Sequence, residues 1–246
     1  KLLEEEQRVQ KSEDATERLI REYEARLPRE PQNLRLLRSL AELYTQKQQF
    51  DKALEYYERL KATEAGQDPS LDRAIAETIV RRFDHQLAQL DPAAPDYAER
   101  VAEIQAAKQA FRLEECRKRV EKYPTDLTIR FEYGQLLFEA GRLTEAIAEF
   151  QKAQNNPHKR IAALNYLARC FAQRKMYDLA ARTLQNALKE KLTFDEEKKE
   201  LLYNLGSVLE AMGKRDEAIE YFKQIYEVDI SYRDVAAKVD AYYAGQ

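Results

Sequence analysis

The chain has no tryptophan, two histidines, two cysteines, six glycines and seven prolines in 246 residues. Each scarcity excludes a class of chemistry. His85 and His158 lie far apart, and neither sits in an HExxH pattern, so the converging ligands that a metal site needs are not supplied. Cys116 and Cys170 form no CxxC and no disulfide framework. Of the possible compartments this favours the reducing cytoplasm, although the periplasm stays open. The few glycines build no phosphate loop or nucleophile elbow: GxGxxG, GxxxxGK[ST] and GxSxG are all missing. No apolar run is long enough to span a bilayer. Charge of one sign is also lacking, with 41 basic and 44 acidic side chains interleaved for a net charge of -3. Arg81-Arg82, Arg117-Lys118-Arg119 and Lys198-Lys199 each have acids nearby and read as solvated helix faces, not as a nucleic-acid surface. The carboxylate pairs Glu114-Glu115 and Glu196-Glu197 are adjacent and point in different directions on a helix. The expectation is a non-enzyme, with no catalytic residue, cofactor or metal.

What is present is helix. Hydrophobic residues make up 44% and charged residues 35%, and Ala, Leu, Glu, Lys, Arg and Gln dominate, the residues that lose least on becoming helical. Prolines 28, 31, 69, 92, 95, 124 and 157 mark joints between helical stretches. Helices are expected near 1–27, 34–47, 51–65, 70–90, 96–122, 126–140, 143–155, 159–174, 177–190, 195–212, 215–228 and 232–243. Within them a pattern recurs. Gly134, Ala168 and Gly206 are small residues 34 and 38 apart, and each is followed 12 residues later by an alanine, Ala146, Ala180 and Ala218. Ala41 and Ala53 repeat the gap. A period in the thirties is that of stacked helical hairpins, each burying its apolar face only against its neighbours. In the hairpin after Pro124, Tyr133, Gly134 and Leu137 share a face of the first helix, and Ala146, Phe150 and Ala153 share one of the second. Gly141, at the turn between them, suits a left-handed C-cap.

These residues resemble the tetratricopeptide repeat. The segments 132–157 (EYGQLLFEAGRLTEAIAEFQKAQNNP) and 201–225 (LLYNLGSVLEAMGKRDEAIEYFKQI) match its consensus closely. The repeats at 161–191 and 34–66 carry Lys175 and Gln48 where the turn glycine belongs, and the family's first-helix tryptophan is absent. The resemblance implies an all-α fold: an α-solenoid of antiparallel helical hairpins wound as a right-handed superhelix, with repeats near 34–66, 127–158, 161–191 and 199–230. Residues 1–30 are read as an N-terminal helix and 31–246 as the solenoid, with a capping helix at 232–243. The segment 67–125 breaks the period and is read as one elongated hairpin kept in the stack, the alternative being a hinge. Leu19, Ile20, Tyr23 and Leu27 form a stripe that packs on the first repeat, while the first half of that helix is a solvated end or a short coiled-coil seam. The chain starts with a lysine inside a helical pattern, so a piece of a longer protein is expected, with any signal, anchor or membrane helix upstream unseen. Cys170, beside Phe171 in a packing motif, reads as a buried thiol and not a nucleophile.

The resemblance further implies that the first helix of each hairpin lines a concave groove. The side chains it would present are Arg38 and Glu42, then Phe131, Gln135, Phe138 and Glu139, then Asn165, Arg169 and Gln173, then Tyr203, Ser207 and Glu210. Pairs four apart stand on one helical face. The lysine–asparagine–arginine clamp with which some family members hold a terminal carboxylate is not reproduced, and Glu42 would repel such a group. The aromatics suggest a groove for apolar anchors of a peptide or helix, although Phe131 and Phe138 could instead pack between hairpins. The expected function is a protein-interaction scaffold or adaptor whose partner is a protein or peptide, with no nucleic acid and no membrane span. The alternatives are a homo-oligomeric assembly module, built through helix 1–27 or the convex face, and the regulatory part of a larger enzyme.

Overall fold

A computed structural model describes residues 2–63 and 68–245, with side chains from Ser12 onward. The solvated or coiled-coil reading of the first turns depends on side chains before Ser12, which lie outside the described ones. Among the described residues twelve helices follow in order: α1 (Leu2–Arg26), α2 (Leu34–Gln46), α3 (Phe50–Lys61), α4 (Pro69–Ala88), α5 (Tyr97–Lys122), α6 (Leu127–Glu139), α7 (Leu143–Ala153), α8 (Arg160–Gln173), α9 (Tyr177–Glu190), α10 (Glu196–Ala211), α11 (Arg215–Tyr226) and α12 (Val235–Ala244). No strand occurs among the described residues. The fold is an all-helical solenoid of paired antiparallel helices.

One turn is used four times, and backbone hydrogen bonding explains it. The last carbonyls of a helix lack partners, and a residue in the left-handed conformation folds the chain back to supply them. Gly141 (φ 72°) and Gly213 (φ 77°) do so, and so do Gln48 (φ 58°) and Lys175 (φ 60°) where glycine is missing. In each case the next residue's N–H reaches back to the helix: Gln49 to Tyr44 at 3.0 Å, Arg142 to Leu137 at 2.9 Å, Met176 to Phe171 at 2.8 Å and Lys214 to Leu209 at 2.9 Å. The second helix of each pair starts straight from this turn without a side-chain cap. Most first helices start from a loop and are capped: Asn33, Asp126 and Asp195 accept the amides of Leu36, Ile129 and Lys198.

The chain forms two compact units, Lys1–Arg112 and Leu113–Gln246, and the division falls inside α5. In the first unit, α2 and α3 pair around Leu40, Ala41, Ala53 and Leu60. Helix α1 lies on this pair through Ile20 and Tyr23, joined by Leu27 just after it, while Leu19, expected in the same stripe, is 39% exposed. Polar contacts reinforce α1. Glu24 accepts hydrogen bonds from Tyr44 (2.5 Å) and Tyr56 (3.1 Å), and Lys47 pairs with Glu17 at 2.6 Å. Burial, with Glu24 alongside, pushes the Tyr56 hydroxyl up to about 12.

In the second unit, α6–α7, α8–α9 and α10–α11 are the hairpins and α12 packs on α11. The small residues work as the spacing predicts. A Cβ on Gly134 would lie 2.8 Å from the Phe150 ring, and one on Gly206 would lie 2.6 Å from the Phe222 ring. Ala146, Ala180 and Ala218 are buried at the facing contacts. Both cysteines are buried and free. Burial raises each thiol to about 11, which keeps it protonated and unreactive.

Candidate partner-binding surface

In the second unit the first helices α6, α8 and α10 are successive neighbours, so their unpaired sides form one face. Tyr166 of α8, which the sequence reading did not select, is the hub of that face. Its ring stacks on Phe150 at 5.0 Å, meets Phe131 and Phe138 edge-on at 5.9 and 5.5 Å, and its hydroxyl accepts Gln135 Nε2 at 3.1 Å. Its one legible signal is a position three residues before Arg169, which puts the two on neighbouring turns of the same helix side.

The expected groove residues divide accordingly. Phe131 is buried, wedged between Phe150 and Tyr166 with Lys159 over its ring, so packing between hairpins is its fate. Asn165 is also buried, 5% exposed, and accepts a 2.8 Å hydrogen bond from Asn204. Neither offers a partner its side chain. Tyr203 is half-buried. It donates to Asp234 at 2.8 Å, stands edge-on to Phe222 and Tyr232, and is covered by Arg233, which ties α10 to the start of α12. Gln135, Phe138 and Arg169 remain half-exposed, and Gln173 is exposed. Ser207 bonds the carbonyl of Tyr203 behind it in its own helix, at 2.9 Å. Arg38 and Glu42 belong to the first unit. There Arg38 meets Ser70 at 3.1 Å and Asp68 at 3.6 Å, and Glu42 is exposed.

Several cations of the second unit are closely engaged. Arg160 grips Glu190 at 2.7 and 2.8 Å, Arg130 meets Glu149 at 2.9 Å, Lys199 meets Asp229 at 2.8 Å and Lys238 meets Glu210 at 2.7 Å. Asp229 and Glu196 hold the Lys199 ammonium above the usual lysine range. Arg169 differs. Its guanidinium lies 4.7 Å over Phe138 and 4.9 Å over Tyr166, and its ion pair, with Glu200, is long at 4.0 Å. Such a half-exposed contact is worth little. Among the described residues there is no group of three His, Cys, Asp or Glu able to hold a metal ion, and no helix long and apolar enough to cross a membrane.

Three family models described as tetratricopeptide repeat match the chain, over residues 36–70, 97–159 and 159–231. No curated protein matches. Among solved structures the chain is similar to MamA (residues 41 to the end) from Desulfovibrio magneticus RS-1, with 14% identity, 81% of this chain and 97% of that chain covered, and a TM-score of 0.55. A second MamA crystal structure is 18% identical over 79% of this chain and 90% of its own, with a TM-score of 0.51. At such identities the likeness is one of fold. The repeat pattern, the four matching turns and the family models agree: the chain belongs to the tetratricopeptide repeat family.

Proposed function

We propose that this chain is a protein-interaction scaffold whose second unit binds a segment of another protein across the face of α6, α8 and α10. Fold and family match those of protein-interaction repeats, and the lack of a metal-binding cluster among the described residues is consistent with a non-catalytic role. The observation that carries the reading is Arg169. A guanidinium lying over two aromatic rings is partly ordered in advance, and with its ion pair to Glu200 long at 4.0 Å its donors can serve carboxylate or carbonyl groups of a bound chain. Gln135 and Gln173 flank it with amides suited to main-chain recognition. The test is calorimetry with a partner captured from the source cells, using the Arg169→Ala, Gln173→Ala double variant. Weakened binding with an unchanged helical spectrum supports the reading, and equal affinity sinks it.

One observation favours self-assembly as a second reading. The loops after α9 and α11 expose Leu192 (89%), Val228 (65%) and Ile230 (57%). Sedimentation at several concentrations tests it, and a concentration-independent monomer retires it.

A further inference from the structure

The α6–α8–α10 face contains a cleft that its own packing leaves empty. It lies between α8, α9 and α10 and has a volume of about 170 Å³. Its cause is legible in the side chains. Ala168 and Ala172 of α8 face Ser207 and Ala211 of α10, with Leu184 and Val208 as apolar walls. A spacing of four puts each small pair on one side of its helix. Two small stripes opposite one another leave a slot where longer side chains would interdigitate.

Size decides what fits. Sites for whole small molecules run from roughly 300 to 1,000 Å³, so this cleft is too small for one. An apolar cavity of about 150 Å³ accepts a single benzene-sized group. One side chain is therefore the natural occupant. Arg169 is the one charged residue on the lining. Its guanidinium makes no hydrogen bond to any described residue and has its carboxylate neighbour, Glu200, only at 4.0 Å. Arg169 thus gives the rim a cation whose carboxylate partner is distant, and the interior is mainly apolar, with Asn204 and Ser207 as its polar groups.

We infer that this cleft is the anchor subsite for an acidic partner segment: it takes one leucine-sized apolar side chain, and Arg169 pairs with an Asp or Glu side chain two residues away on an extended backbone. Side chains at i and i+2 of an extended chain point the same way and stand about 7 Å apart, a distance the long arginine side chain can bridge. A guanidinium already stacked loses little further entropy on pairing. The inference rests on the reading of this face as a binding surface.

The probe is a peptide capped at both ends, acetyl-Ala-Leu-Ala-Glu-Ala-amide, titrated into the isotopically labelled chain and followed by nuclear magnetic resonance. The capped ends remove any terminal carboxylate. Shifts should centre on Ala172, Ser207 and the Arg169 side chain. Replacing the peptide's Glu by Gln should weaken binding about two- to fivefold, the range of a partly exposed ion pair. Arg169→Gln should erase that discrimination while keeping the shifts that depend on Leu. Ala172→Leu, which fills the cleft, should abolish binding of both peptides, with Ala211→Leu as a second filling variant should the first misfold. Shifts that avoid the cleft, or equal affinity of the wild type for the Glu and Gln peptides, overturn the assignment. If a partner contacts position 173 by cross-linking while this peptide ignores the cleft, the anchor falls and the binding face stands. If the peptide binds but no partner touches the face, the broader reading falls.

Discussion

Gly206→Ala sets two opposing magnitudes against each other. Gly206 lies inside α10, where alanine is favoured over glycine by about 1 kcal/mol. Propensity alone therefore forecasts a more stable protein. The structure forecasts the reverse. The added methyl would lie 2.6 Å from Cζ and 2.8 Å from Cε1 of Phe222, and that ring is 1% exposed. A flat ring with neighbours on all sides cannot slide away at no cost, and overpacking of this kind costs about 1–3 kcal/mol. The net expectation is a loss of roughly 1 kcal/mol after the propensity gain is subtracted. The chain itself suggests the rescue. At the matching positions the α8–α9 hairpin carries Ala168 with Leu184, so alanine accompanies a smaller partner. Phe222→Leu alone should destabilise by about 1–2 kcal/mol through lost contacts. The double variant should be more stable than the sum of the two losses, with a coupling of at least about 0.5 kcal/mol. Urea unfolding followed by circular dichroism measures all four proteins. A neutral or stabilising Gly206→Ala, or strictly additive losses, would refute the claim that this glycine exists to admit Phe222.

Four further outcomes follow. Lys175→Gly should stabilise by about 0.5–1 kcal/mol, because Lys175 holds φ 60° in a turn where glycine is unstrained; an unchanged melting temperature contradicts this. Ala146→Leu or Ala180→Leu should cost about 1–3 kcal/mol, since both methyls are fully buried between helices, and an unchanged thermal midpoint would show the contact to be absent. The Cys116 and Cys170 thiols are raised by burial from 9.0 to about 11, so their contribution is complete below about pH 9 and is lost as pH rises toward 11. Stability should fall across that window, less steeply in the Cys116→Ala, Cys170→Ala protein, and identical slopes would exclude the thiols as the cause. Glu24→Ala removes the acceptor shared by Tyr44 and Tyr56, which should cost about 1 kcal/mol and speed amide exchange in α1 and not in α12; uniform exchange rates would count against a local role.

The hairpins were readable because their determinants are local. Gly134 and Phe150, or Gly206 and Phe222, sit 16 residues apart and recur in register, and the left-handed turns follow from the helix ends. The face was less readable because its residues answer to neighbours in other hairpins. Phe131 looked available within its own helix, but Tyr166, 35 residues on, covers it. Asn165 looked solvent-facing until Asn204 of the next first helix closed over it. The small side chains Ala172 and Ala211 carry no signal alone, and the cleft they make exists only when α8 and α10 stand side by side. In the irregular stretch, α4 buries only Leu71 and Thr78 and α5 only Cys116 and Val120, too few to fix a repeat phase by pattern.

The central claim is that partners meet the first-helix face of the second unit. The most direct measurement places a photo-cross-linking amino acid at position 173, exposed on α8, and in a second protein at position 185, exposed on the second helix α9. Both are irradiated in extract from the source cells. The account predicts a discrete heterologous protein adduct from position 173 that is lost when Arg169→Ala is added, and none from position 185. Adducts from position 185 alone, or adducts from 173 that consist only of a second copy of this chain, would contradict it.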